Sequence, residues 1–470
     1  MAKQDNKNEI VAPSIHGKKL DRSLWRIYLK YIVIAIVLLV VLGNTIMTII
    51  LVVNDVNETG KTTITPKLSS AGTRSTFASG FFSECTPTVT SISSTVAAST
   101  YPATPGCNKR IIGYYFATQT SVITRDQVSK LTHAVFAFVN MTSDGHLQID
   151  GDLAKNRFTN LIEIAKQQTP QVKVMISIGG NDNSNNFKPV LSSPDRKKLF
   201  INSTVSFLQT YDIDGVDLYW KWPGKTSKDI YSQFINDLRY SLQRQKRNYI
   251  MSIVLPPPDM GANYEAGIDI ENIFDNVDFL NIFTMGYFGP WQNDAGMITG
   301  AASQLFNGVN GVPGRKTYNI HHSTERYVCK TGQSDKYNIA IPFYTMLWKH
   351  VKGPVNPPNI EIYRNATFQG GVVGETSMSR KLVQEEGYDF SNPTYNPEIR
   401  AAFKYNATTE TFLTFETNDT IAAKIDYVKD RILGGVWIWA VDMDDDSNNL
   451  LNLVKFTGYC TVGNLTLYNC

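Results

Sequence analysis

From residue 107 onward, eight short runs rich in β-branched and aromatic residues recur: RIIGYYF (110–116), HAVFAFV (133–139), VKVMISI (172–178), GVDLYW (215–220), YIMSIV (249–254), FLNIFTM (279–285), YNIAIPFY (337–344) and GGVWIWA (434–440). Helical patterns separate most of them. Residues 153–168 place Phe158, Leu161, Ile162, Ile164 and Ala165 on one face, and residues 226–243 place Ile230, Phe234, Leu238 and Leu242 at helical steps. Ser193-Pro194 opens another helix, with Ser at the N-cap and Pro in the first turn. Strands that alternate with helices pair in parallel, and eight of them close into a (β/α)8 TIM barrel, an α/β fold. A doubly wound open sheet is the rival. It normally carries a glycine-rich phosphate turn after its first strand, and GYYFATQT (113–120) is not one.

The segment between Tyr344 and Gly434 runs to about 90 residues, where a βα connection needs far fewer. A small α+β insertion after strand seven, at roughly 350–417, accounts for the excess. The body, 107–470, is therefore expected to be one barrel domain with an insertion. At 42% hydrophobic and 19% charged residues, the chain has material for a large core and is not disordered throughout. Its net charge of +3 is too small to argue for a nucleic-acid partner.

That charge is unevenly placed. Residues 1–30 hold seven basic groups against three acidic ones, a balance of +4, so the rest of the chain sums to −1. Residues 31–53, YIVIAIVLLVVLGNTIMTIILVV, contain no charge. A helix of that length rises about 34 Å, enough to cross a bilayer core. Asp55 and Glu58 follow it, so the positive-inside rule puts the tail (1–30) in the cytoplasm and all that follows the span outside. A cleaved signal peptide is the competing reading. The long n-region, and the lack of a small-x-small site close behind the run, favour an uncleaved signal-anchor. Residues 54–106 read as a stalk, since 21 of residues 57–106 are Ser or Thr and so polar a segment cannot offset its ordering entropy.

All five cysteines (Cys85, Cys107, Cys329, Cys460, Cys470) lie beyond the span, where disulfides are the default. No pair has the CxxC spacing of a zinc ribbon. Two bridges and one spare cysteine is the simplest arithmetic, and Cys460 and Cys470 are near enough to close a small loop, with connectivity left open. Seven N-glycosylation sequons (Asn57, Asn140, Asn202, Asn365, Asn406, Asn418, Asn464) also fall on the outer side.

In such a barrel, function gathers at the C-terminal ends of the strands. Those ends read Ser177-Ile-Gly-Gly180, Asp214-Gly-Val-Asp217-Leu-Tyr219-Trp-Lys221-Trp-Pro223, Met285-Gly-Tyr287-Phe288, Ile341-Pro-Phe-Tyr-Thr-Met346 and Gly434-Gly-Val-Trp-Ile-Trp439-Ala-Val-Asp442-Met-Asp444-Asp445. In these motifs, in this order, the chain resembles the family-18 glycoside hydrolases, the chitinases and chitinase-like proteins, over essentially 107–455. Thr411-Phe-Leu-Thr-Phe-Glu416 near the end of the insertion is similar to the nematode-type members. The resemblance implies a (β/α)8 barrel with an α+β insertion after strand seven.

It also implies a strand-four signature, D-G-x-D-x-D-x-E. Asp214, Gly215 and Asp217 match, but Tyr219 stands in place of the last Asp and Lys221 in place of the Glu. Positions 217, 219 and 221 share one strand face, pointing into the barrel mouth. In the family the Glu protonates the leaving glycosidic oxygen, the substrate's own acetamide is the nucleophile, and the Asp steadies it, an exception to the usual two-carboxylate scheme. A Lys with an ordinary pKa of about 10.4 holds its proton too tightly for that role, and Tyr219 supplies no negative charge. Two groups that act as a unit are both gone.

Other positions diverge. The family's M-x-Y-D is matched to Met285-Gly-Tyr287-Phe288, the Arg that often follows strand seven is Met346, and Gly-Gly-Trp is Gly-Gly-Asn181. The degenerate positions are thus Tyr219, Lys221, Phe288 and Met346, and no catalytic residue is assigned. Asp217, Tyr287 and Trp439 remain as sugar-contact candidates, with Trp291 and Tyr114 as walls; Trp439 resembles the aromatic floor beneath a bound pyranose. Asp214, of opposite strand parity, reads as structural, and Lys221 is expected to pair with Asp217 or Asp442 because a half-buried charge needs a partner. His321 and His322 lack a third ligand at metal spacing, and no metal or cofactor is assigned.

The resemblance and these departures together imply an inactive chitinase-like membrane glycoprotein, single-pass type II, whose extracellular or lumenal barrel binds chitin or another N-acetylglucosamine polymer. The rival is a protein-interaction or signalling ectodomain whose cleft is plugged by Tyr219, Lys221 and Phe288 packed over Trp439. A third reading is a glycosidase with altered chemistry, using Lys221 or an Asp from strand eight.

Overall fold

All eight apolar runs are strands: β1 (Arg110–Phe116), β2 (His133–Met141), β3 (Lys173–Gly179), β4 (Gly215–Trp220), β5 (Ile250–Leu255), β6 (Phe279–Ile282), β7 (Tyr337–Pro342) and β8 (Gly435–Trp439). Each pairs in parallel with its neighbours in chain order, and β8 returns to β1 with Arg110 opposite Gly435, which closes the barrel and excludes the open sheet. The computed structural model describes residues 108–470 apart from 261–262, 309–310, 368–373 and 458–467. The tail (1–30), the apolar run (31–53), the stalk (54–106), Cys85, Cys107, Cys460, Asn57 and Asn464 lie outside the described residues. Among the described residues no helix is long and apolar enough to cross a membrane.

The strands are apolar on both faces because one meets the barrel interior and the other meets a helix. The long helices are α1 (Gly151–Lys166), α2 (Pro194–Tyr211), α3 (Lys228–Gln243), α4 (Ile320–Thr331) and α5 (Asn418–Asp430). In α1 the apolar face lies against the sheet, with Phe158 fully buried and its ring centroid 4.9 Å from that of Phe136 on β2. Burying such a side chain contributes about 1.5–3 kcal/mol, and truncating it to Ala costs about 3–5 kcal/mol. Ser193 caps α2 as its sequence predicts, accepting from the Arg196 N–H with Pro194 in the first turn.

The insertion is a five-stranded antiparallel sheet formed by Thr345–Trp348, Gly374–Met378, Thr394–Asn396, Ala401–Asn406 and Thr411–Thr414, with one helix, Arg380–Glu385. Its first strand begins at Thr345, ahead of the expected residue 350, because the chain leaves β7 through only Phe343 and Tyr344. Glu416, just beyond its last strand, accepts from Thr420 Oγ1 at 2.6 Å and pairs with the fully buried Lys424 of α5. A buried charge is tolerated only with such a partner.

Cys470 is bonded to Cys329 in α4, 141 residues away, and not to the nearby Cys460. Short spacing is a poor guide here because Tyr468 and Cys470 lie against α4 and α5. The Tyr468 ring stacks on His321 at 5.8 Å, and its hydroxyl is 3.1 Å from that of Tyr427.

Candidate functional site

The polar centre of the barrel is built by strand register. Ser177 on β3 and Ser252 on β5 both lie opposite Asp217 on β4. Ser177 Oγ donates to Asp217 Oδ2 at 2.7 Å, Ser252 Oγ to Oδ1 at 2.6 Å, and Tyr114 OH to Oδ2 at 3.0 Å. Asp217 is wholly buried, and burial pushes its carboxyl above the usual range against the pull of these three donors. The chain of bonds continues down the barrel axis. Asn281 Nδ2 donates to Tyr114 OH at 2.9 Å, Asn338 Nδ2 to Asn281 Oδ1 at 2.9 Å, and Arg110 Nε to Asn338 Oδ1 at 3.0 Å. Asp217 and Tyr114, both expected to touch sugar, therefore lie sealed beneath the mouth with no exposed surface. Their hydrogen-bonding capacity is spent on each other and on their neighbours.

Above this centre a cavity of about 1150 Å³ opens at the C-terminal ends of the strands. Trp439 and Trp291 line it as expected, and both are partly exposed. Tyr219 and Lys221 line it from the end of β4, and Met346 from the first strand of the insertion. Tyr219 is nearly buried, and its ring packs against Phe138 at 5.5 Å and edge-on against Trp439 at 5.7 Å. Burial raises its phenol well above the usual range, so it stays neutral.

Lys221 is placed by its backbone N–H, which donates to Ser184 Oγ at 2.7 Å, while its Nζ lies 5.3 Å from the centre of the Phe283 ring. The carboxylates expected to pair with it are engaged elsewhere. Asp217 is held by hydroxyls. Asp442 accepts from the Phe116 N–H at 2.9 Å and pairs with Arg157 at 3.0 Å, and burial pushes its carboxyl up to about 7. Asp214 sits at the base of β4, bonded to Arg247 at 2.7 Å and Lys173 at 3.2 Å, in keeping with its structural reading.

Tyr287 and Phe288 do not face the cleft. Tyr287 is fully buried, with its hydroxyl 2.8 Å from Ser323 Oγ of α4. Phe288 is buried against Tyr363 at 5.5 Å, with the Arg315 guanidinium 5.0 Å from its ring centre. The cavity is lined instead by Phe283, Met285 and Gly286. These carry the same spacing as M-x-Y-D two residues earlier, so the pattern's Tyr and Asp positions fall on Met285 and Gly286. β6 ends at Ile282, and beyond a strand the alternation of side chains no longer fixes which residue looks inward.

Phe116, Phe138 and Trp222 also line the cavity and were not singled out from the sequence. Phe138 has a specific cause. Ala137 pairs with Ser177 and Val139 with Ile178, so Phe138 is bulged out of the β2–β3 ladder and its ring is re-aimed, reaching 5.8 Å from Trp439. Gly180, at φ +78°, lies where an added Cβ would collide with that ring. The position of Phe138 at the end of the second apolar run was a usable signal for it. The two histidines lie outside the cleft: His321 stacks on Tyr468, and His322 Nε2 is 2.8 Å from Asp259.

Fold and site together define a (β/α)8 barrel protein with an aromatic-walled cleft at its mouth and no carboxylate at the general-acid position. Residues 110–444 match the family described as glycosyl hydrolases family 18, and the chain belongs to that family. It is 25% identical to chitinase A1 of Niallia circulans over 313 residues, 63% of this chain and 44% of that protein, so the chain spans less than half of that relative. It is 23% identical to chitinase-3-like protein 2 of Homo sapiens over 332 residues, 68% of this chain and 81% of that one. Among solved structures it is similar to human YKL-39, described as a pseudo-chitinase with retained chitooligosaccharide binding properties. The TM-score is 0.62 at 19% identity, covering 74% of this chain and 96% of that one. It is also similar to TsES1, an immunomodulatory active chitinase from Trichuris suis, with a TM-score of 0.62 at 18% identity, covering 74% and 97% of the two chains. At such identities these structural matches bear on the fold alone.

Proposed function

We propose that the chain is a glycan-binding member of its family that leaves the sugar intact, with chitin or another N-acetylglucosamine polymer as the ligand class. The observation that carries this reading is the pair Tyr219 and Lys221 at the cleft-facing end of β4, with Asp217 sealed below them. No carboxylic acid stands there to protonate a leaving oxygen, and a buried neutral phenol cannot steady a developing positive charge. The cavity speaks for a ligand, since Trp439, Trp291 and Trp222 all border open space. Of the three side chains that would plug it, only Tyr219 has its ring against Trp439, and Phe288 is turned away into the wall. The description of YKL-39, a similar barrel, as a pseudo-chitinase that binds chitooligosaccharides supports the same reading.

The reading extends to place and partners. The uncharged run 31–53 behind a basic tail supports a single-pass type II anchor with the barrel extracellular or lumenal, where glycans are met. A protein partner at the cell surface is compatible with it.

The test is calorimetric titration of the purified full-length protein with a chitin oligosaccharide, followed by mass analysis of the recovered sugar. Binding with intact sugar is the expected result. Cleaved sugar overturns the assignment of Lys221, and absence of binding favours the protein-interaction ectodomain.

A further inference from the structure

Phe116 is the last residue of β1 and lies beyond Gly113, where the β1–β8 ladder ends opposite Ile438. Both of its backbone polar groups are held by one ion pair. Its N–H donates to Asp442 Oδ2 at 2.9 Å, and its carbonyl accepts from Arg157 Nε at 3.0 Å. Arg157 Nη2 donates to the same Oδ2 at 3.0 Å, and its Nη1 donates to the Ser121 carbonyl. Both side chains of the pair are nearly sealed from solvent.

The pair ties together three stretches of the cleft wall. Phe116, Ala117 and Thr118 come from the end of β1, Leu153 and Ala154 stand on α1 about one turn before Arg157, and Trp439 ends β8 just ahead of Asp442. The Phe116 ring meets Trp439 edge-on, with centroids 5.0 Å apart and planes at 84°. Asp442 itself does not line the cavity. It reaches the wall through the backbone of Phe116.

The strength of that hold depends on charge, because a hydrogen bond to a carboxylate is roughly twice as strong as one between neutral groups. Oδ2 carries both bonds, whereas Oδ1 is buried with no hydrogen-bond partner among the described residues. A proton can settle on Oδ1 without displacing either donor, and it weakens both bonds. Burial pushes the carboxyl up to about 7, against the pull of the Phe116 N–H and of Arg157. Among the described residues, the charged or titratable groups facing it are Arg157 from α1 and Tyr115 from β1, whose phenol burial pushes well above its usual range and so keeps neutral. On its own segment, Asp444 accepts from the Leu450 and Leu451 N–H groups and Asp445 pairs with Arg380.

We infer that Asp442 is a positioning residue of the cleft: its ionised carboxylate, with Arg157, holds the wall formed by Phe116 and Trp439 in the arrangement that grips a glycan, and protonation loosens the grip. The inference rests on the glycan-binding reading above and adds to it release of the ligand on acidification.

The test titrates the full-length protein with a fully N-acetylated chitin oligosaccharide by calorimetry at several values between about pH 5 and 8. That ligand carries no titratable group and, among the described residues, no histidine lines the cavity. Burial pushes the carboxyls of Asp217 and Asp444 up as well, and a variant at 442 separates them from Asp442. Wild-type affinity is expected to rise with pH by about threefold or more across that range, since each unit by which a ligand lowers a carboxyl's pKa is tenfold in affinity. Asp442→Asn keeps an acceptor but no charge, so it should bind at the wild type's acid level and stay flat. Phe116→Leu keeps the carboxyl and loses the ring, so its affinity should be lower and level with pH, while its unfolding keeps the wild type's dependence on pH. Wild-type affinity that stays level across the range overturns the inference and leaves the glycan-binding reading standing. A pH dependence that persists in Asp442→Asn, or in Phe116→Leu should Asp442→Asn not fold, overturns it too. No binding at any pH overturns both readings.

Discussion

The Tyr219 ring stands edge-on to Trp439, with centroids 5.7 Å apart and planes at 77°. Tyr219 occupies the position where the family signature carries an Asp, so an aromatic side chain now closes the floor of the cleft above Asp217. One substitution has two effects. It leaves that position without a carboxylate, and it packs a ring against Trp439.

Trp439→Ala is expected to weaken binding of an N-acetylglucosamine oligosaccharide by about tenfold or more, since an aromatic platform contributes about 1 kcal/mol or more beyond its buried area. Trp439 is only half-buried and its neighbours Tyr114 and Trp437 remain fully buried, so the barrel is expected to stay folded. Calorimetry reads the first effect and thermal unfolding the second.

Repair of hydrolysis depends on which register is used. Tyr219→Asp, Lys221→Glu, Met285→Tyr and Gly286→Asp together are expected to restore measurable cleavage of a fluorogenic chitin oligosaccharide. The set with Phe288→Asp in place of the last two is expected to give none and to unfold at lower temperature. Phe288 is buried against Tyr363, and an unpaired carboxylate there is costly. Cleavage in the Phe288→Asp set would reverse the corrected register.

Stability should depend on pH through Asp442, whose carboxyl burial pushes up to about 7. In the unfolded chain an Asp ionises near pH 4, so between about pH 4 and 7 the folded state holds a proton that the unfolded state has released. This group's contribution to stability therefore falls as pH rises through that window, by about 1.4 kcal/mol per pH unit at most. Asp442→Asn is expected to flatten that slope, with the variant gaining on the wild type as pH rises from 5 to 8. Equal slopes in chemical denaturation at several pH values would contradict it.

Glycan mapping should separate the sequons. Asn202, Asn365, Asn406 and Asn418 are exposed, whereas Asn140 is half-buried at the end of β2. Its Nδ2 donates to Asp150. Peptide mass spectrometry of protein from a secretory host is expected to find glycan on the four exposed sites and little or none at Asn140. Unmodified Asn202, Asn365, Asn406 and Asn418 together would count against the outward topology.

The barrel was legible in the sequence because its strands are apolar on both faces and its helices on one, and each pattern repeats at its own period. The insertion was legible as excess length between Tyr344 and Gly434. In the site, Lys221, Tyr219 and Trp439 were found because they stand at or just past strand ends, where position along the strand predicts direction, whereas Trp291, in the loop beyond β6, was picked out by residue type. Tyr287 and Phe288 were misplaced because the match followed residue identity past the end of β6 at Ile282, into a segment with no fixed alternation. Phe138 was missed because a bulge re-aims it.

The sequence alone determined that positions 219 and 221 carry no carboxylic acid, since no folding of this chain can turn Tyr219 or Lys221 into one. It also determined the strand order, through the spacing of the apolar runs. Only the tertiary structure decided who partners whom: Asp442 with Arg157, Cys470 with Cys329 and not Cys460, and Asp217 with Ser177, Ser252 and Tyr114. The physical reason is range. Periodicity and substitution are local properties of the chain, whereas a buried charge or thiol takes its partner from whatever distant segment closure of the barrel brings against it.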